Sequence, residues 1–282
     1  MLSSEEYIEQ AYLFQALHER LPDNIPIQSV MEQVRNEALS TTRLPLAVDY
    51  LLAELRQSGT MAPAMKQLNH YFAAFQTYLI DESENDRGRF DIRLAVEILK
   101  REAEYRAKGF SRQGLFLYQF ESLCRNRLQY DPGLLAISED PAYDDDWKEW
   151  ILVIRRQVGI IDFADMIYVR SWHYINRQQE GGGTGTAEPA KPILFGIREG
   201  QIALANRQKD PLFLFSALQR QLDYPEVPRP SPVDDSPHQI AQMTRRLEQL
   251  AQRLKLVEEE QRSGIDLSRF YESDKKIPPA VE

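Results

Sequence analysis

Apolar residues recur at intervals of three and four through the first 130 positions, broken at proline and glycine. That rhythm restricts the stretch to amphipathic helices. Ser3 followed by Glu6 is a capping-box pattern ahead of Tyr7, Ala11, Phe14 and Leu17. Pro22 stops this helix, and Pro26 suits the first turn of the next, whose apolar face is Ile27, Val30, Met31 and Val34. A third helix is predicted from Pro45 to Arg56, with Gly59 placed to end it. Pro63 opens a fourth carrying Leu68, Tyr71, Phe72, Phe75, Tyr78 and Leu79, the aromatic stripe being core filling. After the polar run 81–89, a fifth carries Phe90, Leu94, Ile98 and Tyr105, pairs Glu97 with Arg101, and ends at Gly109.

From residue 131 the pattern changes. Asp131-Pro132-Gly133 is turn chemistry, and the short apolar run Leu134 to Ile137 reads as a strand. Trp147 to Val158 reads as a helix with Trp150, Ile151 and Ile154 inward. Ile167 to Ile175, rich in β-branched and aromatic residues, reads as a second strand. Ile193 to Ile197 and Ile202 to Ala205 flank Arg198-Glu199-Gly200-Gln201 as a hairpin. Asp210-Pro211 supplies an N-cap and first-turn proline for a helix holding Leu214, Phe215, Leu218 and Leu222. Residues 180–190 are glycine-rich and read as a loop. The expected fold is therefore α+β and predominantly helical: an N-terminal helical bundle (1–130), a small α+β unit (131–224), a proline-rich linker (225–237), a C-terminal coiled-coil helix (238–263) and a tail (264–282).

The sharpest pattern lies after the linker. Ile240, Met243, Leu247, Leu250, Leu254 and Val257 alternate in steps of three and four, the a and d positions of a coiled coil, with polar residues nearly everywhere else. Each seam side chain contributes about 1.5–3 kcal/mol if fully buried. Association costs roughly 4–15 kcal/mol, so this helix alone is near break-even and needs added area from a dimer, its own chain or another protein. Arg245, Arg246 and Arg253 precede Glu258, Glu259 and Glu260, an order that opposes the helix dipole. An antiparallel pair would set each basic half against an acidic one, while a parallel pair gains mainly Arg253 with Glu258 across the seam.

The net charge of −9 argues against gripping nucleic acid through phosphates. Cys124 is the one cysteine, which excludes an intrachain disulfide and a thiolate zinc cluster. No run approaches the eighteen or so apolar residues of a membrane span. Glu5, Glu6 and Glu9 stand where a secretory signal needs positive charge, so the expected location is the cytoplasm.

Catalytic motifs mostly fail. Glu139, Asp140, Asp144, Asp145 and Asp146 could hold a hard cation, but Asp144 to Asp146 read better as caps for the helix near Trp147, and no EF-hand spacing is present. The glycines at 181–185 lack the helix a dinucleotide fingerprint needs. Ser111, in a near-miss of a nucleophile elbow, reads as an N-cap. His18, His70, His173 and His238 are scattered, with His173 placed on a strand face as a structural residue. Lys100, Arg101, Arg106, Lys108 and Arg112, interleaved with Glu102 and Glu104, read as a solvated helix end. The expectation is a non-catalytic interaction or assembly protein, without cofactor or metal, that meets a protein partner or its own copy through 238–263. The alternative is an enzyme or small-molecule binder with a pocket between the helical and α+β regions, built from Glu139, Asp140, Arg155, Arg156 and His173.

Overall fold

In the computed structural model the described residues, 1–23, 25–85, 90–180 and 191–230, wind into thirteen α-helices. The chain divides into Met1–Pro230 and Ser231–Glu282. The predicted seam and tail fall in the second unit and the glycine-rich loop at 181–190, all outside the described residues.

Local chemistry accounts for the first seven helices. Helix α1 (Ser4–Arg20) is capped by the Ser3 hydroxyl, which accepts from the Glu6 amide at 3.4 Å. Only half of the capping box forms, because the Glu6 carboxylate turns to the Arg43 amide at 3.0 Å. Helix α2 (Ile27–Glu37) buries Val30, Met31 and Val34, and α3 (Leu44–Ser58) ends on Gly59 at φ 78°, a left-handed cap that glycine adopts without strain. The predicted fourth helix is broken in two: α4 (Ala62–Gln67) and α5 (Ala74–Glu84) flank a turn. Gln10 donates to the freed Tyr71 carbonyl at 2.7 Å, and the Gln76 side chain accepts from the Ala73 amide at 3.1 Å. Those side chains replace the helical hydrogen bonds that the break gives up. Helix α6 (Ile92–Ala107) lies along α1, and α7 (Arg112–Arg125) starts on the predicted cap Ser111, whose hydroxyl accepts from Gly114 at 3.0 Å.

The expected α+β unit is absent, and the described residues contain no sheet, only isolated bridges at Val158–Ile161 and Ser171–Phe195. The run 134–137 belongs to α8 (Tyr130–Ser138). Pro132 sits in its first turn, where the missing N–H would be unpaired anyway. Gly133 is there for packing, since a Cβ would come within 2.8 Å of both Leu123 methyl carbons. The run 167–175 is split between α10 (Phe163–Tyr168) and α11 (Trp172–Glu180), so His173 lies on a helix and not on a strand. Asp162 caps α10 through the Ala164 amide at 3.0 Å, and Phe163, Ala164 and Ile167 bury one face, so tertiary packing overrides β propensity. The hairpin is likewise α12 (Ile197–Ala205). Its supposed turn glycine, Gly200, marks a close approach: a Cβ would meet the Ser171 hydroxyl at 2.2 Å and the His173 Cβ at 2.8 Å.

Helix α9 (Asp145–Gln157) buries Trp150, Ile151 and Ile154 as the sequence predicts, and α13 (Pro211–Leu222) starts on the Asp210 cap. One continuous core runs from Ala11 to Val227. Around Phe116 it is aromatic: Trp147 and Trp150 meet Phe195 edge-on, and Phe120 packs on Phe163 with ring centroids 4.7 Å apart. Beyond α13 the chain has no regular element up to Pro230, with Tyr224 and Val227 buried, the Tyr224 hydroxyl donating to Glu121 at 2.7 Å and Arg101 donating to the Glu226 carbonyl at 2.7 Å. Among the described residues no helix is long and apolar enough to cross a membrane.

Candidate functional site

The densest chemistry of the body is a buried polar cluster where α6, α7 and the α8–α9 connection meet. Ala95, Leu99, Glu102 and Arg106 follow one another at helical spacing, so the core-facing stripe of α6 ends in an acid and a base one turn apart. Both side chains are essentially inaccessible, at 0% and 1%. Arg106 donates to Glu102 Oε1 from Nε at 3.2 Å and from Nη2 at 2.7 Å. Across the cluster it donates to both oxygens of Asp140, from Nη1 at 3.3 Å and from Nη2. Gln119 of α7 donates from Nε2 to Glu102 Oε1 at 2.7 Å and to Asp140 Oδ2 at 3.3 Å. Its orientation is set by the Tyr143 hydroxyl, which donates to Gln119 Oε1 at 2.7 Å.

The two carboxyls are held differently. Asp140 receives the guanidinium, Gln119 and the Ala142 amide at 2.9 Å. Burial pushes its carboxyl up, yet the charge and hydrogen bonds of Arg106, with the other donors, bring it below the ordinary range. Glu102 gathers its donors on Oε1 alone, and Oε2 is a buried oxygen with no partner among the described residues. Burial raises its carboxyl, the pull of Arg106 does not overcome this, and the charge of Asp140 adds to the rise. The guanidinium is also flanked by the Tyr7 and Phe110 rings, each centroid 5.7 Å away. Above it lies a cleft of about 360 Å³ lined by Leu2, Tyr7, Arg106, Phe110, Arg112 and Ala142. Arg112 is engaged there, donating to the Ala142 carbonyl at 3.0 Å and to Asp144 at 2.7 Å.

A second concavity, about 370 Å³, has a floor of Phe120, Phe163 and Phe215 and a rim of Tyr130, Ile160 and Ile161. Its carboxylate, Asp162, is occupied in accepting from Ala164 and from the Gln208 amide at 2.6 Å. Its thiol, Cys124, is half-buried, and burial pushes it up to about 12, which disfavours the thiolate. This groove offers apolar surface without a free polar group.

Of the sequence-predicted pocket residues, Asp140 alone enters the cluster. Glu139 is the exposed C-cap of α8. Arg155 pairs with Asp131 at 2.8 Å, and Arg156 donates to the Leu152 carbonyl of its own helix at 3.2 Å. His173 packs its ring 6.1 Å from that of Tyr168. Among the described residues no hydrogen bond or ion pair joins any two of these five. The seam residues Ile240, Met243, Leu247, Leu250, Leu254 and Val257 lie outside the described residues. Asp144 accepts from the Trp147 amide at 3.1 Å, as an N-cap does, with Asp145 and Asp146 in the first turn. No group of three or more His, Cys, Asp or Glu that could hold a metal occurs among the described residues.

Sequence reasoning missed Glu102, Arg106, Gln119 and Tyr143 as a unit, taking Arg106 for part of a solvated helix end. The signal was the continuation of the apolar stripe of α6 into two opposite charges at a spacing of four. Comparison with protein-family models, with curated proteins and with solved structures finds no match to this chain.

Proposed function

We propose that this protein is a non-catalytic interaction or assembly protein of the cytoplasm, and that residues 238–263 pair with a second copy of the chain or with another protein. The observation that carries this reading is the seam Ile240, Met243, Leu247, Leu250, Leu254 and Val257, six apolar side chains on one narrow stripe that need a surface to cover them. Further support comes from the described body, where Asp140, Arg155 and Arg156 each have a bonding partner within the fold. Sedimentation of the full chain against a Leu247→Glu/Leu254→Glu variant tests the self-pairing form. A concentration-dependent dimer is expected for the wild type and a monomer for the variant. A variant that sediments and unfolds as the wild type does would overturn the seam as the contact.

A further inference from the structure

We infer that Glu102 and Asp140 share one dissociable proton, carried on Glu102, and that its release as pH rises unlatches the 139–144 connection from α6 and α7. This goes beyond the interaction reading and does not depend on it.

The geometry assigns the proton. Arg106 Nη2 and Gln119 Nε2 each donate to both carboxyls, so the two acids sit over the same donors in a region without solvent access. Two negative charges against one guanidinium leave the cluster at −1, which burial disfavours strongly. One proton makes it neutral. Asp140 has donors on both oxygens, the Ala142 amide among them, and is the better anion. Glu102 has a bare Oε2 and is the better acid. The other titratable groups facing the pair are Tyr7 of α1, Tyr105 and Arg106 of α6, Tyr118 of α7 and Tyr143 of the connection. Burial raises Tyr118 and Tyr143 well above the ordinary phenol range, so both stay neutral, and Arg106 is the one cation of this set.

The moving part is also fixed by contacts. The connection is held by Asp140 on Arg106, by Tyr143 on Gln119 and by the Ala142 carbonyl on Arg112. Ala142 lines the cleft beside Arg106, which gives water a route to the cluster when the connection lifts. Ionising Glu102 places a second negative charge against Asp140, and swinging Asp140 outward relieves it.

Hydrogen exchange of the full chain from pH 5 to 9, with Glu102→Gln as the comparison, tests this. Glutamine mimics the protonated acid. After intrinsic base catalysis is divided out, protection of the Ala142 and Tyr143 amides should fall by up to about tenfold per pH unit in the wild type and stay level in E102Q. Infrared difference spectra should show a protonated carboxyl in the wild type at pH 6 that E102Q lacks. Level protection in the wild type, no such carboxyl, or an E102Q protein that is far less stable than the wild type at pH 6 would each overturn the inference.

Discussion

Consider Arg106→Met, which keeps much of the stem volume and removes the cation. Asp140 then remains inaccessible with only the Ala142 and Gln119 donors, and the guanidinium that brings its carboxyl down is gone. An unpaired buried carboxylate is costly, and taking up a proton is the escape. That escape sets a ceiling. Protonating a carboxyl with an unfolded value near 3.9 costs about 4 kcal/mol at pH 7 and about 1.5 kcal/mol at pH 5. Glu102, raised by burial, adds little to this.

The pH dependence follows from the signs. In the wild type the folded value of Asp140 is depressed, so its stabilisation is present above the unfolded value and is lost as pH falls through the folded one. In the variant the value is raised, so stability is lost as pH rises. The deficit of R106M should therefore widen by about 1.4 kcal/mol per pH unit from just above pH 4 until Asp140 ionises. Urea midpoints at pH 5, 6 and 7 read this directly, and each 1 kcal/mol lowers the melting midpoint by about 2–4 °C in a body of this size. R106M/D140N should recover most of the loss, a coupling that a double-mutant cycle isolates. A deficit that does not change with pH, or one below about 1 kcal/mol at pH 7, would refute the placement of Asp140 opposite Arg106.

Three further outcomes are expected. Gly133→Ala gains about 1 kcal/mol of helix propensity but overpacks Leu123 by about 1–3 kcal/mol, so chemical denaturation should show a net loss, and a net gain would sink the packing role. Cys124 in the native protein should react with a thiol reagent at pH 8 orders of magnitude more slowly than in urea, and equal rates would mean that its thiol is not buried. Asp144→Ala removes the cap of α9 and the partner of Arg112 and should cost about 1 kcal/mol, most of it restored by Asp144→Asn, with calorimetry showing no change in divalent-cation binding in either variant.

Helix caps and faces were legible because they are local. Ser3, Ser111, Asp144 and Asp210 each announce a helix start, and each accepts from a backbone amide two or three residues on. The departures after residue 130 lie in tertiary contacts and not in local chemistry. Gly133 and Gly200 read as turn residues in the sequence, yet each is small because another element passes within contact distance, a property of the folded neighbour that no local window contains. Ile167 to Ile175 has strand composition, but it is divided between α10 and α11, which both pack on α12, and no second strand lies beside it among the described residues. The cluster was half legible: Glu102 and Arg106 lie one turn apart on a visible stripe, whereas Asp140 and Gln119 are brought to them by tertiary packing alone.

The cluster's contribution is better understood as specificity than as stability. Burying an ion pair often yields no more than a well-packed apolar substitute would. The apolar face of α6, with Ala95, Val96, Ile98, Leu99 and Ala103, is made of small and aliphatic residues whose packing energy changes gradually as neighbours slide. Hydrogen bonds are less tolerant. Arg106 must reach Glu102 one turn back and Asp140 across the bundle, while Tyr143 turns the Gln119 amide so that its donor faces both acids. A shift of α7 by one residue, or of the connection by a few ångströms, breaks several of these bonds together and strands buried charge. Where the face of α6 is small and aliphatic, that penalty singles out one packing among many.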